Sequence, residues 1–356
     1  MEGLGYSNAY TKGILVHSSL AMTVEGLPLG ILAQSTATRP EPKDGSMTAY
    51  EKSQLPIEEK ESYKWIESMR IAQGFIPEGT DAVHVCDREA DIYEFFHEAQ
   101  EINAKVVVRA SHNRILDNEE EKLFGHARAM PPCGAVAAQI PRDTRKGQKA
   151  REAELETSCG EVALSKPSNR SEAHLPASIK ASAVYVVEKN PPEGNEPVEW
   201  LLLSTEPAGS FESAVETLGY YVQRWKIERY HYVLKQGCSV EKVQERSASR
   251  QTSMVFLCSM VAVYIMGLTY LGRITPDMEC SGVFSEEEWK ILFCAANKIN
   301  EPPAKPCSMR DAAKYIAKLG GISGSPSDGE PGVKAIWEGL GVLWNLTEYW
   351  MFMPKV

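Results

Sequence analysis

Residues 218–237 read LGYYVQRWKIERYHYVLKQG. Ser210 offers an N-cap upstream, with Glu212 in the first turn, and Gly237 offers a stop. A long helix is therefore expected from about Ser210 to Gln236. An α-helix turns about 100° per residue, so Tyr221, Arg224, Glu228 and Lys235 are expected within one arc of roughly 60°. Ile227, Leu234 and Tyr220 fall outside that arc, about 90° round from its centre, and are expected to pack inward. A carboxylate among two fixed cations and a phenol suits a divalent metal with phosphate oxygens held beside it. The same spacing also suits a solvated face with an ordinary Arg224–Glu228 pair.

Working outward, the chain alternates strand and helix patterns. Residues 82–86 form a short strand pattern with Asp87 at its C-terminal end, where sites gather in α/β sheets. A helix is expected over 91–100, and a buried strand over 104–110 with the run Val106, Val107, Val108. Arg109 emerges from that strand, and residues 200–204 return as another core strand after Trp200. Upstream, residues 13–33 read as two strands joined at Glu25-Gly26. Residues 39–56 read as a loop, and 57–73 as a helix ended by Gly74 and Pro77. Residues 112–198 are rich in Pro, Gly, Ser and charge and read as a β-rich insertion. From about Ser247 onward the pattern is helical at 254–271, 286–297, 309–319 and 333–349.

Composition narrows the function classes. The chain has 356 residues, 43% of them hydrophobic, enough for two or three domains. Its eight cysteines include no CxxC pair and its seven histidines no HxxxH or HxH pair, which argues against zinc and redox-dithiol sites. Scattered thiols suit a reducing cytoplasm. No secretory signal pattern opens the sequence. Residues 254–271 approach membrane-spanning length, but Ser259, Gly267 and Thr269 interrupt them, so a buried helix is expected and no membrane partner. The formal net charge of −10 opposes wholesale nucleic-acid binding, whereas the stretch PRDTRKGQKAR at 141–151 is locally basic.

The order Y-x-x-R-x-x-x-E-x-x-x-x-x-x-K at Tyr221, Arg224, Glu228 and Lys235 resembles the signature of DDE transposases of the bacterial insertion-sequence-four family, which includes the transposase of transposon five. VHVCDREADIYEFF resembles the segment around that family's second catalytic aspartate. NPPEGNEPVEWLLLSTEP resembles the strand leading to its third acid, GILVHSSLAMTVEGLPLGILAQ its early strand pair, and KLGGISGSPSDGEPGVKAIWEGL its C-terminal end.

The resemblance implies a ribonuclease-H-like mixed α/β sheet in two parts, residues 1–111 and 199–250. A β-rich insertion at 112–198 would interrupt it, and a helical dimerisation domain at 251–356 would follow. It implies cut-and-paste DNA transposition in the cytoplasm, at the nucleoid, with Mg2+ or Mn2+. The partners would be double-stranded transposon ends, target DNA and a second copy paired through the C-terminal helices. Asp87 would be the second acid and Glu228 the third, both holding metal. Arg224, Tyr221 and Lys235 would contact phosphate, Arg109 the backbone, and Trp200 an extruded base.

Each residue has a plainer reading. Asp87 suits a cap, and Arg88, Glu89 and Asp91 a solvated helix start. Trp200 suits a core position at a strand edge, and the basic cluster of Arg142 to Arg151 a solvated hairpin. The family's first aspartate, on a strand before the early strand pair, has no counterpart among Met1 to Lys12. The first strand and the N-terminal DNA-recognition domain are thus expected to be missing, and the isolated chain is expected to be inactive. The competing expectations are a non-catalytic protein that pairs with and poisons a full-length transposase, and a metal-dependent nuclease of another family with the same core.

Overall fold

A computed structural model describes residues 5–6, 11–39, 48–117, 120–140, 149–170, 172–243, 245, 247–323 and 329–352. By compactness the chain divides into Met1–Glu41 with Trp225–Val356, and Pro42–Arg224.

The N-terminal hairpin pairs β1 (Leu15–Met22) antiparallel with β2 (Pro28–Ala37) as a separate two-stranded sheet. Its turn holds Gly26 at φ 87°, a conformation that costs glycine nothing. This matches the expected strand pair.

The unit Pro42–Arg224 begins with a short helix α1 (Ala49–Gln54) where a loop was expected. Thr48 and Glu51 close a reciprocal capping box that stabilises it locally. α2 (Tyr63–Gln73) follows, then β3 (Val83–Cys86), α3 (Tyr93–Glu101), β4 (Lys105–Arg109) and α4 (Leu123–Ala129). β5 (Pro132–Ile140), β6 (Arg151–Ser165), β7 (Ser178–Glu188), β8 (Glu199–Ser204) and α5 (Phe211–Gln223) complete it. All six strands share one mixed sheet in the order β3-β4-β8-β7-β6-β5. Only the β3–β4 pair is parallel. The β-rich stretch 112–198 therefore extends the core sheet through β7 rather than closing on itself.

Period-2 alternation explains why the sheet is covered on both faces. Val106, Val108, Leu201 and Leu203 enter one cluster with Phe95, Phe96, Ile66 and Met69 of α2 and α3. Val107, Val184, Val186 and Leu202 enter another with Ala214, Leu218 and Tyr221 of α5. Strands buried on both sides read as continuous apolar runs, as in VVV of β4.

The second unit continues with α6 (Lys226–Tyr232), a π-helical turn over Val233–Gly237, α7 (Ala248–Ile274), α8 (Glu286–Asn297), α9 (Met309–Leu319) and α10 (Val333–Phe352). Their apolar faces form one cluster around Tyr230, Ala262, Met266, Leu292, Ile316 and Leu340, onto which Leu20 and Ile31 of the hairpin pack. Gln34 of β2 fastens the hairpin by donating to Tyr230 Oη at 3.1 Å and Ser259 Oγ at 2.9 Å. Among the described residues α7 is long and apolar enough to cross a membrane. One face, with Ala262, Ile265 and Met266, is buried in this cluster, and the other exposes Leu257 and Met260. The mixed α/β sheet and the helical C-terminal region agree with the expected fold class.

Candidate nucleic-acid interface

Strand register assembles one end of the six-stranded sheet. Cys86 of β3 lies opposite Val108 of β4 in parallel, so the next residues, Asp87 and Arg109, leave the sheet on the same side. β8 runs antiparallel to β4, with Leu202 opposite Arg109, which brings the start of β8, Glu199 and Trp200, to that same end. α5 packs over the sheet and delivers Tyr221 and Arg224 there.

Asp87 is half-buried and N-caps the 3-10 turn Arg88–Ala90, its Oδ1 accepting from the Glu89 amide at 2.8 Å. The capping role read for it in sequence is thus realised, and it uses one carboxylate oxygen. Arg109 donates from Nη2 to the Glu199 carbonyl at 3.2 Å. Burial pulls the Arg109 pKa down, the Tyr221 hydroxyl opposes this, and the nearby Arg88 and Arg224 cations add to the lowering. A guanidinium in that position is short of negative charge.

Tyr221 is 6% exposed and sits in the core cluster, against the expectation of an open face. Its ring meets Trp200 edge-on, with centroids 5.6 Å apart at 66°. Arg224 lies over the same ring at 5.8 Å. Trp200 is only partly buried, so its core role is real and its plane is not fully enclosed.

A cavity of about 260 Å³ opens beside Arg109, lined also by Arg88, Ser111, Arg128, Tyr185 and Glu199. Glu199 accepts from Arg128 Nε at 3.0 Å and from Tyr185 Oη at 2.8 Å, and holds both in place. Three arginines against one carboxylate make this wall cationic. Sequence reading missed Arg128, Tyr185 and Glu199, which come from three separate elements with no local spacing to mark them.

Asp91 corrects the reading of a solvated helix start. It is 1% exposed, and its Oδ1 accepts from Arg114 Nη2 at 2.6 Å and Nε at 3.1 Å. Its Oδ2 accepts from the amides of Ser111 at 2.7 Å and His112 at 2.8 Å. This clamp ties the segment after β4 to the turn that follows Asp87. The same turn is held where Ser111 Oγ donates to the Arg88 carbonyl at 3.1 Å.

Glu228 and Lys235 belong to the other unit. Glu228 lies on α6 and is half-buried. Next to it, burial and Lys235 lower the pKa of His231, with Glu228 opposing. Lys235 is exposed and pairs with Glu241 at 3.0 Å. The single uninterrupted helix expected through all four residues is not formed. α5 ends at Gln223, the Arg224 amide turns tightly onto the Tyr221 carbonyl, and the π turn follows α6. Ile227 and Leu234 do pack inward as expected, in the helical unit's cluster.

Residues 141–148 of the basic stretch lie outside the described residues. Its last cation, Arg151, is committed to the buried Glu188 at 2.7 Å. Among the described residues no three or more His, Cys, Asp or Glu side chains group closely enough to hold a metal.

The helical unit carries the comparison with known proteins. Residues 260–350, from within α7 to near the end of α10, match the family model of the transposase Tn5 dimerisation domain. That match makes this region like that of the Tn5 transposase, and it supports a transposase-type function and a homodimer.

Proposed function

We propose that the chain serves DNA transposition of the insertion-sequence-four type, in which metal-dependent phosphodiester hydrolysis is followed by strand transfer. The observation that carries this reading is the cationic cavity wall beside Asp87. Arg88 and Arg109 line it, and Arg224 stands close enough to perturb Arg109, in a chain of net charge −10. Crowded, partly desolvated guanidiniums are relieved by an anion, and their forked donors match phosphate oxygens.

In this reading Arg109, Arg224 and Tyr221 hold the phosphate backbone of double-stranded DNA ends, and Lys235 adds a cation. Trp200 offers a plane for an unstacked base. Asp87 and Glu228 supply hard oxygen donors of the kind Mg2+ or Mn2+ takes. Oδ2 of Asp87 is not used by the cap, which fits such a role. The metal would supply charge neutralisation at the reacting phosphorus. The C-terminal helices pair two copies.

Fluorescence anisotropy with a double-stranded oligonucleotide at stepped salt tests the interface. Arg109→Ala should weaken binding roughly tenfold and lower the salt slope by about 1. Unchanged binding in both Arg109→Ala and Arg224→Ala would refute it. Two-metal chemistry in this class uses three acids, of which Asp87 and Glu228 would supply two. These 356 residues are therefore expected to bind plasmid with Mg2+ or Mn2+ present without nicking it. Nicking abolished by Glu228→Ala would overturn that.

A second reading, a non-catalytic partner that inhibits a full-length transposase, draws on α10, where Trp350 is 59% and Phe352 80% exposed. Mixed dimers with a full-length relative, together with loss of its transposition, would favour it.

A further inference from the structure

Among the described residues several cysteines far apart in sequence meet, and two of these pairs have closely matched sulfur separations. Cys133 and Cys159 lie with Sγ atoms 3.6 Å apart, as do Cys280 and Cys307. All are free thiols, and the pairs differ in access. Cys133 is exposed at a bulge, where the register between β5 and β6 shifts from Pro132–Ser158 to Gly134–Thr157. Cys159 is half-buried, and its thiol points at the Ser210 carbonyl, the N-cap of α5, at 3.5 Å. Cys280, in contrast, is wholly buried, and its amide bonds the Cys307 carbonyl at 2.9 Å.

We propose that Cys133 and Cys159 form a reversible thiol–disulfide site that low-molecular-weight disulfides such as oxidised glutathione close. The two sulfurs need to approach by about 1.5 Å to reach bonding length, within the reach of side-chain rotation on paired strands. Exposed Cys133 is the first nucleophile. Its thiolate attacks one sulfur of oxidised glutathione, forms a mixed disulfide and expels one reduced glutathione, which takes up the proton that Cys133 lost. The Cys159 thiolate then attacks the Cys133 sulfur. This forms the Cys133–Cys159 bond and expels the second glutathione, which takes the proton from Cys159. The protein pair loses two electrons and one glutathione disulfide gains them. Burial and then the Cys133 thiol push Cys159 up to about 11, so closure accelerates as pH rises. The closed bond lies against the first turn of α5, the helix that carries Tyr221.

The test uses the full chain, fully reduced and then incubated with oxidised glutathione at pH 8, alkylated and mapped as non-reduced tryptic peptides. The expected product is a Cys133–Cys159 cross-linked peptide, with the other six cysteines alkylated. Cys159→Ser is expected to trap glutathione on Cys133. An unsubstituted chain that stops at the mixed disulfide overturns the proposal. So does one that does not react, or one that links Cys280 to Cys307 as fast as Cys133 to Cys159.

Discussion

Replacing Asp91 by alanine removes the carboxylate on which four hydrogen bonds converge, two from Arg114 and two from the Ser111 and His112 amides. The Arg114 side chain is 7% exposed, so its charge is left stranded, a change that costs about 3–5 kcal/mol. The two amides lose their acceptor as well. Ser111 lines the cavity, so water reaches it and this further loss stays near the low end, about 1 kcal/mol. A total of about 4–6 kcal/mol is a large share of a typical stability of roughly 5–15 kcal/mol. Urea unfolding followed by far-ultraviolet circular dichroism measures it. Asp91→Asn keeps an acceptor for the amides and should cost about half as much. Asp91→Ala combined with Arg114→Met removes the stranded charge and should be more stable than Asp91→Ala alone, a non-additivity of neighbours sharing one network. A cost below about 1 kcal/mol for Asp91→Ala, or a double variant that is worse than the single, refutes the clamp.

Two further outcomes follow from packing and titration. A Cβ on Gly339 of α10 would overlap the backbone carbonyl of Ile316 in α9, which cannot swing aside. Gly339→Ala should therefore cost about 1–3 kcal/mol and lower the melting temperature, and an unchanged melt would show that the two helices can separate freely. Burial lowers the pKa of both His84 and His231. The folded form binds protons less well than the unfolded chain, whose histidines titrate near 6.5. The associated stability is complete above about pH 6.5 and is lost as pH falls from there toward the folded values. The melting temperature should drop between pH 7 and 5, with a shallower slope in His84→Gln/His231→Gln; identical slopes would count against it.

Much of the fold was legible because local rules and tertiary packing agree. The Val106–Val108 run makes a strand buried on both faces, Gly26 a turn, and the four C-terminal apolar periods four helices. What escaped was long-range. The sequence DREAD looks like a charged helix start, and nothing local reveals that Arg114 and two amides some twenty residues away will enclose Asp91. Arg128, Tyr185 and Glu199 meet only because α4, β7 and β8 do, and Cys133 finds Cys159 only through strand pairing.

The stretch from Leu218 to Gly237 shows where a wheel diagram fails. Tyrosine, arginine, glutamate and lysine keep their chemistry wherever the backbone points them. Their angular phase was not a local property. A 3-10 turn advances about 120° per residue, against about 100° in an α-helix, and a π turn lags behind it. One of each falls between Tyr221 and the end of the rod. The side chains record the outcome, with Tyr221 in the core beneath Arg224 while Lys235 stands in solvent on Glu241. No proline or glycine marks the break at Arg224–Trp225. Before it, α5 settles on the sheet through Leu218 and Tyr221; after it, Tyr230, Val233 and Leu234 join the helical cluster. Each half of the stretch is placed by the core of its own unit, so the face that one half exposes does not predict the face that the other exposes.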